Sequence, residues 1–140
     1  MFLKLHNITD PDRESEMIIN HDSIFVIYNY TKSDGSETVQ IVLNGGLRYE
    51  IKETIGEIFD LTIFNNKIKD FIFLNAMPAD KTEKKKYICF NKNNIGVILK
   101  SDAKYKNNLF DIYDKTMGYR YVLVSEYSEV DDVYREILRQ

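Results

Sequence analysis

The sequence predicts an α+β protein made of two tandem similar units of antiparallel strands, each followed by one amphipathic helix. Three observations carry this. First, four blocks recur in the same order about 70 residues apart. Residues 18–27 match 89–98 at a shift of 71, which aligns Asn20 with Asn91, Ile24 with Ile95, Val26 with Val97 and Ile27 with Ile98. Phe2-Leu3-Lys4-Leu5 stands ahead of the first block as Phe71-Ile72-Phe73-Leu74 stands ahead of the second. Gly46-Leu47-Arg48-Tyr49 and Gly118-Tyr119-Arg120-Tyr121 follow, and Ile55, Ile58 and Phe59 correspond to Val130, Val133 and Tyr134. Second, short runs of alternating apolar and polar residues lie between turn-forming clusters. Third, each half closes on apolar residues at helical spacing. The alternative is a single irregular α+β domain. The two units are residues 1–66 and 67–140, packed as one compact domain, because about 70 residues alone bury little core.

The elements follow in order. Leu3 and Leu5 alternate with Lys4 as a short strand, Ile18 and Ile19 begin a second, and Asn20-His21-Asp22-Ser23 is a turn. The stretch between, 6–16, is expected to be a long solvated loop. Residues 24–30 form the third strand, closed by the hairpin signal Ser33-Asp34-Gly35-Ser36. Val39, Ile41 and Leu43 alternate as the next strand. Asn44-Gly45-Gly46 is the strongest turn in the chain, and Leu47, Tyr49 and Ile51 then face away from Arg48, Glu50 and Lys52. Thr54 and Glu57 have the spacing of a capping box before the helical stripe Ile55, Ile58, Phe59, Thr62 and Ile63, which Asn65-Asn66 ends.

In the second half, residues 67–75 read as a strand apolar on both faces, and 87–90 and 95–100 as two more. Residues 77–86 and 101–108 read as polar loops. Residues 110–113 and 119–125 form a hairpin across Lys115-Thr116-Met117-Gly118, with Val122 and Val124 covered on a second face. Ser128 and Asp131 are expected to cap a last helix whose stripe is Val130, Val133, Tyr134, Ile137 and Leu138.

Composition narrows the function. The chain has 140 residues, 44% hydrophobic and 29% charged, which excludes general disorder. No apolar run reaches the roughly 18 residues of a membrane span, and the start lacks a signal-peptide core, so a cytoplasmic protein is expected. One cysteine excludes a disulfide framework. The net charge of −3 excludes a uniformly basic nucleic-acid binder. The charge is uneven: residues 1–70 carry 7 basic and 12 acidic side chains, net −5, and residues 71–140 carry 12 and 10, net +2. A chain polarised in this way can join head to tail.

The run Leu3-Lys4-Leu5, Ile19-Asn20-His21-Asp22-Ser23-Ile24, Thr38 through Gly45, Tyr49-Glu50-Ile51-Lys52-Glu53 and then Ile55 to Ile58 resembles the FlbD-type small proteins of bacterial flagellar operons and short phage proteins of similar pattern. The resemblance covers residues 2–61, with a diverged second copy in 71–138. It implies a small non-catalytic accessory protein and assigns no site residues.

No catalytic constellation is legible. His6 and His21 with Asp10, Asp12 and Asp22 offer nitrogen and oxygen ligands, but no H-x-x-x-H spacing fixes a pair, so both histidines are read as surface turn residues. Cys89 lies between Ile88 and Phe90 on a strand and is read as a core thiol. Asp10, Asp12, Glu14 and Glu16 lack the glycine turn of a calcium loop. No glycine-rich phosphate loop is present. The expectation is therefore no cofactor, no metal and no enzymatic activity.

Loops held by a rigid sheet are where binding residues usually sit. The expected binding surface is Lys84, Lys85, Lys86, Tyr87, Lys104, Tyr105 and Lys106. The expected function is a small binding or accessory protein of bacterial or phage origin acting through protein contacts. The alternatives are a nucleic-acid-binding regulator, using lysines beside aromatics that stack bases, and a phage inhibitor of a host defence enzyme. A homo-oligomer stays open.

Overall fold

A computed structural model of the chain describes residues 2–63, 70–77, 86–101 and 108–140, without the side chains of 62 and 63. It is mostly antiparallel sheet with two helices, an α+β architecture. The strands are β1 (Phe2–Asp10), β2 (Arg13–Asn20), β3 (Ile24–Thr31), β4 (Glu37–Leu43), β5 (Arg48–Ile51), β6 (Phe71–Ala76), β7 (Lys86–Asn91), β8 (Ile95–Lys100), β9 (Asn108–Asp114) and β10 (Arg120–Ser125). Helix α1 (Ile55–Ile63) follows β5, and α2 (Val130–Arg139) follows β10. Seven strands form one sheet in the order β2-β1-β5-β4-β3-β7-β6, and β10-β9-β8 form a second. The Met77 amide donates to the Val124 carbonyl (2.8 Å), tying the end of β6 to β10.

Several registers coincide between the halves. Phe2 pairs with Asn20, and Phe71 pairs with Asn91. Asn20 caps the 3-10 turn His21–Ser23, accepting the Asp22 amide, and Asn91 caps Lys92–Asn94, accepting the Asn93 amide. A bulge then interrupts β3 after Ile24 and β8 after Ile95. The Asn44 amide donates to Ser23 (2.9 Å) and the Lys115 amide to Asn94 (2.8 Å). Each turn-forming asparagine supplies a short acceptor where the chain leaves the ladder.

Two cores result. The first joins Leu3, Leu5, Ile24, Ile41, Ile51 and Ile58 to Phe71 and Cys89. The second joins Ile72, Leu74, Phe90, Phe110, Ile112, Leu123 and Val133 to Phe25, Val26 and Val42. Strand β6 is apolar on both faces because Phe71 enters one core while Ile72 and Leu74 enter the other.

Four sequence expectations need correction. The long loop of residues 6–16 is instead a β-hairpin, with β1 and β2 paired as far as Asp10 and Arg13. Arg13 to Glu16 are all exposed, so this end of an edge strand lacks the apolar alternation that would reveal it. The α2 cap lies one residue later than expected. Glu129 is the N-cap, and the Asp132 carboxylate accepts the amides of Ser128 (3.2 Å) and Glu129 (2.9 Å). Of the expected stripe, Val133 and the half-buried Ile137 dock, leaving Val130, Tyr134 and Leu138 exposed. Val122 is exposed too, because Leu123 takes the inward position on β10.

Candidate functional site

Strand β3 is paired with β4 along its whole length, from Ile24 opposite Leu43 to Thr31 opposite Glu37. On its other side the ladder with β7 has two pairs among the described residues, Val26 with Phe90 and Ile27 with Cys89. Beyond Ile27 the two strands diverge, because β7 stays in register with β6 up to Lys86 and Ala76. The divergence opens a groove of about 300 Å³. One wall is Tyr28 to Thr31, and the other includes Met77, Lys86, Ile88 and Tyr121 to Val124. Tyr28 separates it from a second recess of about 360 Å³, lined by Thr9, Tyr30, Gln40, Arg48, Tyr49 and Glu50.

The groove is aromatic and its rings are fixed. Tyr28 and Tyr121 meet edge to face at 5.4 Å, and Tyr121 meets Phe90 at 5.5 Å. The Tyr28 hydroxyl donates to the Gln40 side-chain carbonyl (2.7 Å). Burial pushes the Tyr28 hydroxyl above the usual tyrosine range, and Tyr119 adds to this while Arg48 opposes it. Burial, then Tyr28 and Tyr119, push the Tyr121 hydroxyl up as well. Both phenols therefore stay protonated at any physiological pH. Tyr30, at the mouth, is exposed. The arrangement offers rigid aromatic surface, hydroxyl groups and a stretch of strand edge with no partner on one side among the described residues.

Of the expected surface, Lys86 and Tyr87 are described, at the start of β7, where Lys86 lines the groove and Tyr87 is exposed. Lys84, Lys85, Lys104, Tyr105 and Lys106 lie outside the described residues. The described residues that flank these two segments are joined to one another. The Ser101 amide donates to Leu109, Leu109 pairs with Val124, and Val124 accepts the Met77 amide. Sequence reading missed Tyr28, Tyr30 and Tyr121. The available signal was the alternation Tyr28-Asn29-Tyr30 at the end of an otherwise apolar strand.

The histidines divide. His6 is half-exposed, and its ring Nδ1 lies 2.5 Å from Glu53 Oε1, whose carboxylate also accepts the His6 amide. His21 is not a surface residue. It is fully buried, edge-on to Phe71 at 5.1 Å, with Nδ1 3.1 Å from Asp22 and Nε2 3.7 Å from Asp70. The 3-10 turn His21–Ser23 packs against the turn Lys92–Asn94, where Asn91 and Asn94 donate to the His21, Asp22 and Ile24 carbonyls. Cys89 is fully buried, which pushes its thiol far up and leaves it unreactive. Among the described residues no cluster of three or more His, Cys, Asp or Glu could hold a metal ion. No helix among them is long and apolar enough to cross a membrane. A cleft beside α2 is lined by Asp132, Arg135, Glu136 and Arg139, but these neutralise one another as Arg135–Asp132 (3.6 Å) and Arg139–Glu136 (2.6 Å) pairs.

No protein-family model, curated protein or solved structure matches the chain.

Proposed function

We propose that the protein is a small non-enzymatic binding protein of bacterial or phage origin that acts through protein contacts. In this reading it takes an extended segment of its partner along the free edge of β3. The observation that carries the proposal is the halt of the β3–β7 ladder at Ile27, which leaves strand edge beside fixed tyrosines. Strand addition uses such an edge for main-chain hydrogen bonds, and flanking pockets read alternate side chains. Tyrosine supplies large contact area with few torsions to freeze. Residues 1–66 and 67–140 act as two tandem similar units, a reading supported by the paired registers Phe2–Asn20 and Phe71–Asn91 and by the two capped 3-10 turns. The relation of residues 2–61 to FlbD-type proteins belongs to the same proposal.

Selection of random linear peptides on the intact protein tests this. Enriched peptides should alternate apolar and polar residues, and Tyr30→Ala should weaken their binding at least several-fold without changing the fold. Enrichment of peptides that bind Tyr30→Ala equally well would count against the groove. Salt-sensitive binding of a single-stranded oligonucleotide in place of peptides would favour the nucleic-acid reading through Lys86, Tyr87 and the neighbouring lysines.

A further inference from the structure

Inside the chain, the first unit meets the second partly through like turns, His21–Ser23 on Lys92–Asn94 and residues 44–46 on 115–118, and partly through unlike surfaces. The edge of β3 pairs with β7, and Phe59 of α1 packs on Phe71 (5.9 Å, 85°) and Phe73 (5.3 Å) of β6. A contact between unlike surfaces of like units satisfies neither end. The counterpart of β3 in the second unit is β8, the edge strand of its sheet. The counterpart of β7 in the first unit is β2, the edge strand of the other sheet. Among the described residues the chain thus carries one unpaired edge strand at each end, the counterparts of the two that pair inside it.

Burial follows the same division. At the internal junction Cys89 is 0% exposed, Phe71 5% and Phe59 9%. Their counterparts at the free ends are Ile18 at 72%, Phe2 at 69% and Tyr134 at 57%. These are three large apolar side chains in water at positions where the other unit buries them. Val26 and Ile27 are fully buried, whereas Val97 and Ile98 on β8 are only half-buried. The end that carries Phe2 and Ile18 belongs to the acidic half, net −5, and the end that carries Tyr134 belongs to the basic half, net +2.

We propose that the protein assembles head to tail with further copies of itself, β8 and α2 of one copy receiving β2 and β1 of the next. The inference rests on the two-unit reading. The internal register carries over by the shift of 71: Val26–Phe90 becomes Val97 opposite the next copy's Ile19, and Ile27–Cys89 becomes Ile98 opposite its Ile18. Phe59 on Phe71 becomes Tyr134 on the next copy's Phe2. Unpaired edges are a liability in a monomer, and this contact covers both.

The test is the solution mass of the full chain by light scattering across a concentration series at low salt. The average mass should rise steadily with concentration above the monomer's 16.5 kDa. Phe2→Lys with Ile18→Lys closes one end, and Leu99→Lys with Tyr134→Lys closes the other. All four side chains are exposed, so both variants should fold. Each variant alone should stay monomeric, and an equal mixture should stop at a one-to-one dimer. Oxidation of a variant carrying Ile18→Cys and Ile98→Cys should give a ladder of linked chains. A wild-type chain that stays at 16.5 kDa throughout, a single variant that dimerises alone, or a mixture that remains monomeric would each overturn the assembly. The two-unit reading is checked separately by cross-strand NOEs at Phe2–Asn20 and Phe71–Asn91 in the monomeric variants. If these persist while assembly fails, only the head-to-tail contact is lost.

Discussion

The Asp114 carboxylate accepts the Gly45 amide across 69 residues of chain (2.7 Å), joining the turn after β9 to the turn after β4. The same carboxylate accepts the Tyr119 amide (2.9 Å) and the Thr116 hydroxyl (2.5 Å), and Asp114 is fully buried. The two turns touch closely here. A Cβ on Gly118 would lie 3.1 Å from Gly45 Cα, and one on Gly46 would lie 3.2 Å from the Tyr119 ring. Replacing the carboxylate leaves buried donors without an acceptor, at about 1–3 kcal/mol each. Asp114→Ala should therefore cost on the order of 3 kcal/mol in urea unfolding, and a change within error would mean that this bridge does not hold the two turns together.

The same group sets an acid limit. Burial alone would push the Asp114 carboxyl up, but hydrogen bonds from Thr116, Tyr119 and Gly45 outweigh it and hold the group below the usual carboxylate range. Glu53 is lowered in the same way: burial opposes, and the His6 amide and ring prevail. A carboxylate depressed in the folded state contributes stability that is complete above its unfolded value, about 4. As pH falls below that value the unfolded chain takes up protons first, and the contribution disappears as pH passes through the lower folded value. Melting temperature should therefore fall steeply below about pH 4, and Asp114→Asn should flatten the slope. An unchanged slope in that variant would assign the acid limit elsewhere.

Gly96 occupies the β8 bulge, as the fully buried Phe25 occupies the β3 bulge. A Cβ at Gly96 would sit 2.7 Å from the Asp114 carbonyl and 3.1 Å from Lys115 Cα, both backbone atoms. The backbone must shift to admit a methyl group, at about 1–3 kcal/mol. Gly96→Ala should lower the urea midpoint by that amount. An unaffected midpoint would show that the bulge is looser than drawn.

Much of the fold was legible because strand period and turn chemistry are local. Asn44-Gly45-Gly46, the Thr54–Glu57 cap and the Asn20 and Asn91 turns each act within a few residues, and the Glu57 amide indeed donates to Thr54 Oγ1 (3.1 Å). The β1–β2 hairpin was not legible, since its outer half is an edge with no apolar face to pattern. The burial of His21 depends on its turn packing against the distant turn Lys92–Asn94, and residues near it in sequence carry no sign of that. The groove is hidden for a similar reason. Tyr28 and Tyr121 are 93 positions apart in the sequence, and they meet across the groove only in the folded chain.

Helix α2 docks on a narrower face than its periodicity suggests. Val133 is fully buried and Ile137 half-buried, while Leu138 is mostly in water. Ile137→Ala should cost up to about 2 kcal/mol, toward the low end for a core truncation because the site is only partly enclosed. Leu138→Ala should stay within about 0.5 kcal/mol, and Arg139→Ala likewise. Thermal melts of the three variants at low protein concentration separate these outcomes. Equal losses at Ile137 and Leu138 would place the whole stripe in a contact.

The claim that the free edge of β3 receives a partner strand is open to one direct measurement, amide hydrogen exchange with and without a selected peptide. Between Tyr28 and Thr31, alternate amides already bond to β4, and those facing the groove have no ladder partner among the described residues. Free protein should exchange the groove-facing amides quickly. Saturating peptide should slow those amides by at least tenfold and leave the β4-facing ones unchanged. A peptide that binds yet protects only amides outside β3 would contradict the account.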